Sequence, residues 1–172
     1  MKIALIVIGA VICLIVLVAG IGAVLPRRHT ATRSAAFQAS PEEVFRLIAG
    51  PQDWRTDLKS YETFQESGRE MRRETSKNGQ TLTFELESSP PWLLKSRIVD
   101  RNLPFGGSWT YRIEARDGRC TLTITEDGEV YNPIFRFISR VVIGYTRTID
   151  NYLAMVGKAA GRNRIAEASS PR

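Results

Sequence analysis

Few residues in this sequence have the chemical type and spacing that catalysis or metal binding requires. The single histidine, His29, has neither a second histidine nor a pair of cysteines that could complete a zinc site. It closely follows an apolar segment, so we interpret it as a polar linker residue, and no serine or cysteine has a histidine base to activate it. The sequence therefore predicts no metal site and no cofactor.

Carboxylates are the remaining candidates for acid–base chemistry. Most of them either begin a predicted helix or alternate with apolar residues on the solvent-facing side of a predicted strand. Glu62 differs, because it is in phase with Leu58 and Phe64 and could therefore point inward. A buried glutamate with a raised pKa can act as a general base. One such residue supports catalysis weakly, so we predict no catalytic residue and keep an enzyme as the less favoured alternative.

Aromatic and branched residues form the more informative group. An apolar pocket lined by rings, with a few hydroxyls to orient the ligand, is typical of a site for a hydrophobic small molecule. The candidate lining residues are Trp54, Phe84, Trp92, Trp109, Tyr111, Ile113, Leu122, Phe135, Ile138, Tyr145, Ile149 and Tyr152. Ordinary core packing is the alternative interpretation of each of them.

The chain begins with an apolar segment from Ile3 to Leu25, which is 23 residues without a charge. At about 1.5 Å per residue, a helix of this length spans a hydrocarbon core of about 30 Å. We predict a transmembrane anchor with its basic flank over residues 1–28. A signal peptide is the alternative, although its apolar region is usually about 7–15 residues long. Arg27, Arg28 and Arg33 follow the segment, and Lys2 and the terminal amine precede it. This balance favours a cytoplasmic domain over an extracytoplasmic one.

The net charge of +6 suits a partner with negative charge. For a chain anchored in a membrane, the nearer partner is the lipid surface, and we expect no nucleic acid. A solvated basic surface without a partner is the alternative. Ala19 and Ala23 have the spacing of a helix-pairing motif, which suggests self-association through the anchor.

The rest of the chain predicts one domain over residues 29–160 and a polar tail over 161–172. A strand over Thr30–Ala39 precedes a helix-start signal at Ser40-Pro41-Glu42-Glu43, and a second short helix follows over Pro51–Arg55. Turn residues, among them Gly106-Gly107, separate six further strands. These strands are Leu58–Gln65, Arg69–Thr75, Thr81–Glu87, Trp92–Val99, Ser108–Ala115 and Cys120–Val130. Alternation within them, as in Leu82, Phe84 and Leu86, predicts one apolar face.

The last predicted element is a long helix over Pro133–Ala160. Its apolar stripe would cover the apolar face of the sheet. The stripe comprises Ile134, Ile138, Val141, Tyr145, Ile149, Tyr152 and Val156, and the separate basic face comprises Arg136, Arg140 and Arg147.

This order of elements resembles the α+β helix-grip fold (β-α-α-β6-α) of the START-like, or SRPBCC, superfamily, and in particular the polyketide cyclase/dehydrase and lipid-transport family. The opening is most similar: Ala39-Ser40-Pro41-Glu42-Glu43-Val44-Phe45, followed by Gly50-Pro51-Gln52-Asp53-Trp54. The resemblance implies a curved antiparallel sheet around the C-terminal helix, with a cavity between them. Members bind lipids, sterols, polyketides or other apolar molecules, a few catalyse cyclisation or dehydration, and one branch acts on ribosomes.

Together these features predict a membrane-anchored binding module for a lipid-like or other hydrophobic small molecule. A cyclase/dehydrase-type enzyme is one alternative. A basic interaction protein that docks to a membrane surface or a ribosome is the other.

Overall fold

The computed structural model describes residues 2–168, apart from the side chains of residues 116 and 162–168. A long N-terminal helix, α1 (Lys2–Val24), precedes a domain with a seven-stranded antiparallel sheet in the order β1-β7-β6-β5-β4-β3-β2. The strands are β1 (Arg28–Phe37), β2 (Leu58–Glu66), β3 (Arg69–Ser76), β4 (Thr81–Ser89), β5 (Leu93–Ile98), β6 (Phe105–Arg116) and β7 (Arg119–Val130). The other helices are α2 (Pro41–Ala49), α3 (Pro133–Phe137), a π-helix (Ile138–Ile143) and α4 (Arg147–Ala168). The predicted fold class is confirmed.

Short hairpins arrange strands β2 to β7 as a meander. The turns use residues with positive φ, such as Gly79 and Gly118, as the sequence predicts. Gly106 and Gly107 are not a turn, because β6 begins at Phe105 and runs through both glycines. The apolar face is confirmed: Leu122 and Ile124 are fully buried beneath the helices.

The start of α2 matches its sequence signal. The Ser40 hydroxyl accepts a bond from the Glu43 backbone N–H at 3.2 Å, and Pro41 occupies the first turn. The prediction of a second short helix over residues 51–55 is wrong, because this segment contains a turn and no helix. The buried side chain of Gln52 instead donates to the carbonyls of Leu47, Ile48 and Gly50 at the end of α2.

The predicted long C-terminal helix is interrupted. Asn132 caps α3, the π-helix follows, and Gly144 then adopts φ +78°, which ends the helical path before α4 begins. Ile149, Tyr152 and Val156 on α4 are buried, whereas Ile134 and Val141 of the same predicted stripe are exposed. The break therefore divides the stripe into a covering part and an exposed part.

Glu62 does not point inward. It pairs with Arg73 on the outer side of the sheet, and its side chain is mostly exposed. The register of β2 shifts between Leu58 and Ser60, so Glu62 is no longer in phase with Leu58. Because of this bulge, the alternation counted from Leu58 wrongly predicted that Glu62 points inward.

The C-terminal end of α1 packs against α3. A Cβ atom at Gly22 would stand 1.9 Å from the carbonyl oxygen of Pro133, so only glycine permits this packing. The Arg136 guanidinium is buried and donates to the carbonyls of Gly22 at 2.9 Å and Leu25 at 3.0 Å. Its Nε donates to the carbonyl of Val130 at 3.1 Å. We call these contacts the Arg136 latch.

Local chemistry explains the latch. In a continuing helix the Gly22 carbonyl would accept from the residue four positions later, but Pro26 has no N–H. A cation near a helix C-terminus is also favoured by the helix dipole. The prediction that Arg136 shares an exposed face with Arg140 and Arg147 is therefore wrong.

A second buried arginine, Arg72, donates to the carbonyls of Ile48 and Ala49 at the end of α2. Replacing Arg72 with methionine leaves these carbonyls without that donor, and we expect a loss of about 2 kcal/mol in unfolding free energy. Denaturant unfolding of the full chain in detergent micelles measures the loss. The control is Arg73→Met on the outer face, for which we expect less than about 1 kcal/mol. Equal effects would contradict this role of Arg72.

Candidate functional site

A cavity of about 540 Å³ lies between the inner face of the sheet and the helices that follow β7. Its apolar wall comes from alternate residues of β4 and β5, which point inward because strand side chains alternate. These residues are Leu82, Phe84, Leu86, Leu94 and Ile98. The helical side contributes residues from all three segments between Phe135 and Met155.

The structure divides the twelve candidate residues into two groups. Those in the cavity wall are Phe84, Trp109, Tyr111, Phe135, Tyr145 and Tyr152. Those outside it are Trp54, Trp92, Ile113, Leu122, Ile138 and Ile149. In the second group Trp54 bonds the Leu47 carbonyl and Trp92 packs against Phe45, while Ile113, Leu122 and Ile149 are core residues. Ile138 begins the π-helix.

The sequence interpretation of His29 as a linker residue is wrong. His29 lies in β1, opposite Gly128 of β7, and its ring lines the cavity. Its Nε2 lies 3.0 Å from Glu126 Oε1, and Trp109 donates to the other oxygen of Glu126 at 2.8 Å. Tyr145 stacks on the imidazole with ring centroids 3.6 Å apart. We call His29, Trp109, Glu126 and Tyr145 the His29 cluster.

Gly128 makes room for this cluster. A Cβ atom at this position would stand 2.3 Å from the Cε1 atom of His29. The imidazole therefore occupies the space that a side chain on β7 would otherwise fill. A paired imidazole and carboxylate facing a partly apolar cavity can bind a polar ligand group or transfer a proton.

A second polar group lines another part of the same cavity. Arg55 bonds Asp57 at 2.6 Å and Glu74 at 2.7 Å, and Arg72 lies 3.9 Å from Glu74. We call these four residues the Arg55 cluster, and all of them line the cavity. Burial alone would lower the pKa of Arg55, but Asp57 and Glu74 outweigh it and raise that pKa. The cluster therefore holds a permanent cation beside the cavity.

The same pairing lowers the pKa of Asp57 below its ordinary value of 3.8, since the bond to Arg55 outweighs the opposing effect of burial. A carboxyl whose pKa is lower in the folded protein adds stability above the ordinary value, and this stability is lost as pH falls through the folded pKa. We therefore expect Asp57→Asn to lower the melting temperature at neutral pH, and the difference to shrink below pH 3.8.

Thermal unfolding of the full chain in detergent over this pH range measures the effect. Asp117→Asn, in the exposed β6–β7 turn, is the control and should leave stability unchanged. A difference between wild type and Asp57→Asn that persists at low pH would contradict the pairing.

Two tyrosine hydroxyls lie between the clusters. Burial raises the pKa of Tyr111 to about 12, and burial followed by the proximity of Tyr111 raises that of Tyr152. The Tyr152 ring contacts Trp109 on one side and the Arg55 guanidinium on another. Both hydroxyls therefore stay protonated at neutral pH and can donate hydrogen bonds to a ligand.

The described residues contain no group of three or more histidine, cysteine or acidic side chains that could hold a metal ion. The site is thus an apolar cavity with separate polar groups. A family profile described as polyketide cyclase/dehydrase and lipid transport matches residues 28–155. The chain belongs to this family. Its fold binds hydrophobic small molecules in related proteins.

Solved structures of low sequence identity share the fold of this polyketide cyclase/dehydrase family member. The Zhui aromatase/cyclase of Streptomyces sp. R1128 has 16% identity and a TM-score of 0.63, covering 84% of this chain and 99% of its own. Norcoclaurine synthase of Thalictrum flavum, in complex with dopamine and hydroxybenzaldehyde, has 12% identity and a TM-score of 0.59, covering 84% and 90%. XoxI of Bacillus cereus has 22% identity and a TM-score of 0.54, covering 76% and 94%. A comparison with curated proteins finds no match.

Proposed function

We propose that this protein is a membrane-anchored binding module for a lipid-like or other hydrophobic small molecule. The observation that carries the proposal is the cavity of about 540 Å³ with its apolar β4–β5 wall. Cavities that bind small molecules are usually about 300–1,000 Å³, mostly apolar, and contain a few well-placed polar groups. The two polar clusters and the tyrosine hydroxyls meet the last condition.

The polar groups narrow the class of ligand. An apolar body would contact β4 and β5, while an oxygen-bearing group would contact Tyr111 and Tyr152 or the Arg55 cluster. Such a ligand is amphipathic, like a fatty acid or a phenolic compound. The norcoclaurine synthase complex, with two small aromatic molecules, is consistent with this class.

Membrane anchoring is the second part of the proposal. α1 is long and apolar enough to be a membrane anchor or a signal sequence. The packing of α1 on α3 through Gly22 and the Arg136 latch supports an uncleaved anchor, since removal of α1 would take away carbonyls to which Arg136 donates. The arginines after α1 support a cytoplasmic domain.

A fatty acid carrying a mid-chain diazirine tests both parts on the full chain in phosphatidylcholine liposomes. Photolysis should label α1, which contacts the bilayer, and also the inner residues of β4 and β5, which contact only the cavity. Excess unlabelled oleate should remove the β4–β5 adducts, because the cavity saturates, and should leave the α1 adducts. Labelling of α1 alone would refute ligand binding, and absence of label from α1 would refute anchoring.

The His29 cluster supports a second candidate, an enzyme of the dehydrase type. In such a reaction His29 or Glu126 removes a proton from carbon, and the electrons of the C–H bond form a C=C bond. The C–O bond breaks, and the hydroxyl receives a proton and departs as water. We would recover the compound bound by the chain after incubation and determine its mass. A compound that is lighter by one water with the wild-type chain, but not with Glu126→Gln, supports the enzyme. A compound of unchanged mass supports the binding module.

A further inference from the structure

We infer that the segment from Ile134 to Ile143 lies in the headgroup region of the same bilayer that α1 crosses. The inference rests on the proposed anchoring by α1 and adds a second membrane contact to it. Five apolar residues form what we call the interface patch: Ile134, Phe135, Val141, Val142 and Ile143. They are 36–68% exposed and belong to α3, which packs against α1 and β7, and to the π-helix that follows it.

The position of α3 along α1 fixes the depth of the patch. α1 spans about 34 Å at 1.5 Å per residue, slightly more than a hydrocarbon core of about 30 Å. Pro133 contacts α1 at Gly22, two residues before the helix ends at Val24. The Arg136 latch binds carbonyls between Gly22 and Leu25. If α1 crosses the bilayer, α3 must therefore lie at the boundary between hydrocarbon and headgroups.

The charges around the patch fit anionic headgroups. Arg27 lies three residues after the end of α1, and Arg140 lies within the π-helix between the apolar residues of the patch. Both side chains are exposed. Apolar side chains flanked by arginines are characteristic of segments that lie in a membrane interface. Tyr131, which is 47% exposed, is also a residue type enriched at that depth.

The patch has a consequence for the cavity. Phe135 and Ile143 are about half exposed, and both also line the cavity. The cavity wall therefore reaches the surface between them, next to the bilayer. Its ligand can then exchange with the bilayer without crossing bulk water, and Tyr145 of the His29 cluster lines the same cavity two residues after Ile143.

Depth-dependent fluorescence quenching tests the inference on the full chain. Cys13 and Cys120 are replaced with alanine, and Val142→Cys carries a bimane label in liposomes of phosphatidylcholine and phosphatidylglycerol. We expect lipids with a spin label near the headgroup to remove most of the bimane fluorescence. The control is Arg119→Cys at the far end of β7, about 36 Å along the strand at 3.3 Å per residue. It should show no quenching.

Two further measurements separate the possible failures. Flotation of the liposomes after alkaline washing shows whether α1 is integrated, so loss of integration refutes the anchoring and not the patch alone. Val141→Cys provides a second label position if the first variant does not fold. If the chain is integrated but neither labelled position is quenched by lipid, the inference is overturned. It is also overturned if protection of the label from aqueous iodide depends on protein density, because that would indicate contact with a second copy.

Discussion

Ser96→Trp is expected to abolish ligand retention while leaving the fold intact. Ser96 lies on β5 and points into the cavity between Leu94 and Ile98. An indole at this position would occupy the space between the β4–β5 wall and Tyr111. We expect the affinity for oleate to fall by more than about tenfold, which corresponds to about 1.4 kcal/mol of binding free energy. Native mass spectrometry of the full chain released from detergent micelles measures the bound fraction.

The matched control is Lys95→Trp, one residue earlier on the same strand. Its side chain points to the opposite, exposed face of the sheet. It adds the same ring without filling the cavity, so oleate binding should stay at the wild-type level. Circular dichroism checks that both variants fold, and Ser96→Phe is the smaller replacement if Ser96→Trp does not. Wild-type binding by a folded Ser96 variant would place the ligand outside this cavity.

Arg136→Met is expected to detach α1 from the domain and to destabilise the chain by about 3 kcal/mol. The substitution leaves the carbonyls of Gly22, Leu25 and Val130 without their donor, and each unpaired buried group costs about 1–3 kcal/mol. Denaturant unfolding in detergent measures the loss. Spin labels at Ile8 and Arg119 report the attachment, since their distance distribution should be narrow in wild type and broad in the variant.

Arg140→Met is the control for this change. Arg140 is four residues further on but is exposed, so its loss should change neither the unfolding free energy nor the distance distribution. A narrow distribution in Arg136→Met would contradict the latch, because α1 would then be held by apolar packing alone. Broadening in both variants would indicate a general disturbance of the π-helix.

Much of the sheet could be predicted from the sequence because strand alternation is a local property. The apolar face formed by Leu82, Phe84 and Leu86 lines the cavity as its spacing indicates. The same alternation, extended along β1 and β7, also indicates the pair of His29 and Glu126 that the sequence analysis missed. Glu126 continues the buried phase of Leu122 and Ile124, and two-residue steps backward from Phe37 arrive at His29. The predicted strand begins at Thr30, one residue too late to include His29.

Other features depend on contacts that sequence periodicity does not contain. The predicted helical stripe continues through Gly144, but in the structure this residue adopts a positive φ that interrupts the helix. Arg136 has the local spacing of a surface arginine, and only the packing of α1 on α3 buries it. The Arg55 cluster combines a loop before β2 with residues of β3, so its members become neighbours only when the sheet forms.

Native mass spectrometry of the purified full chain, before and after removal of lipids, tests most directly whether the cavity holds a hydrophobic small molecule. We predict an additional mass of one amphipathic compound per chain, which delipidation removes, oleate restores, and Ser96→Trp prevents. A chain that carries no such mass, and takes up nothing from a panel of fatty acids, sterols and polyketides, would contradict the proposed function.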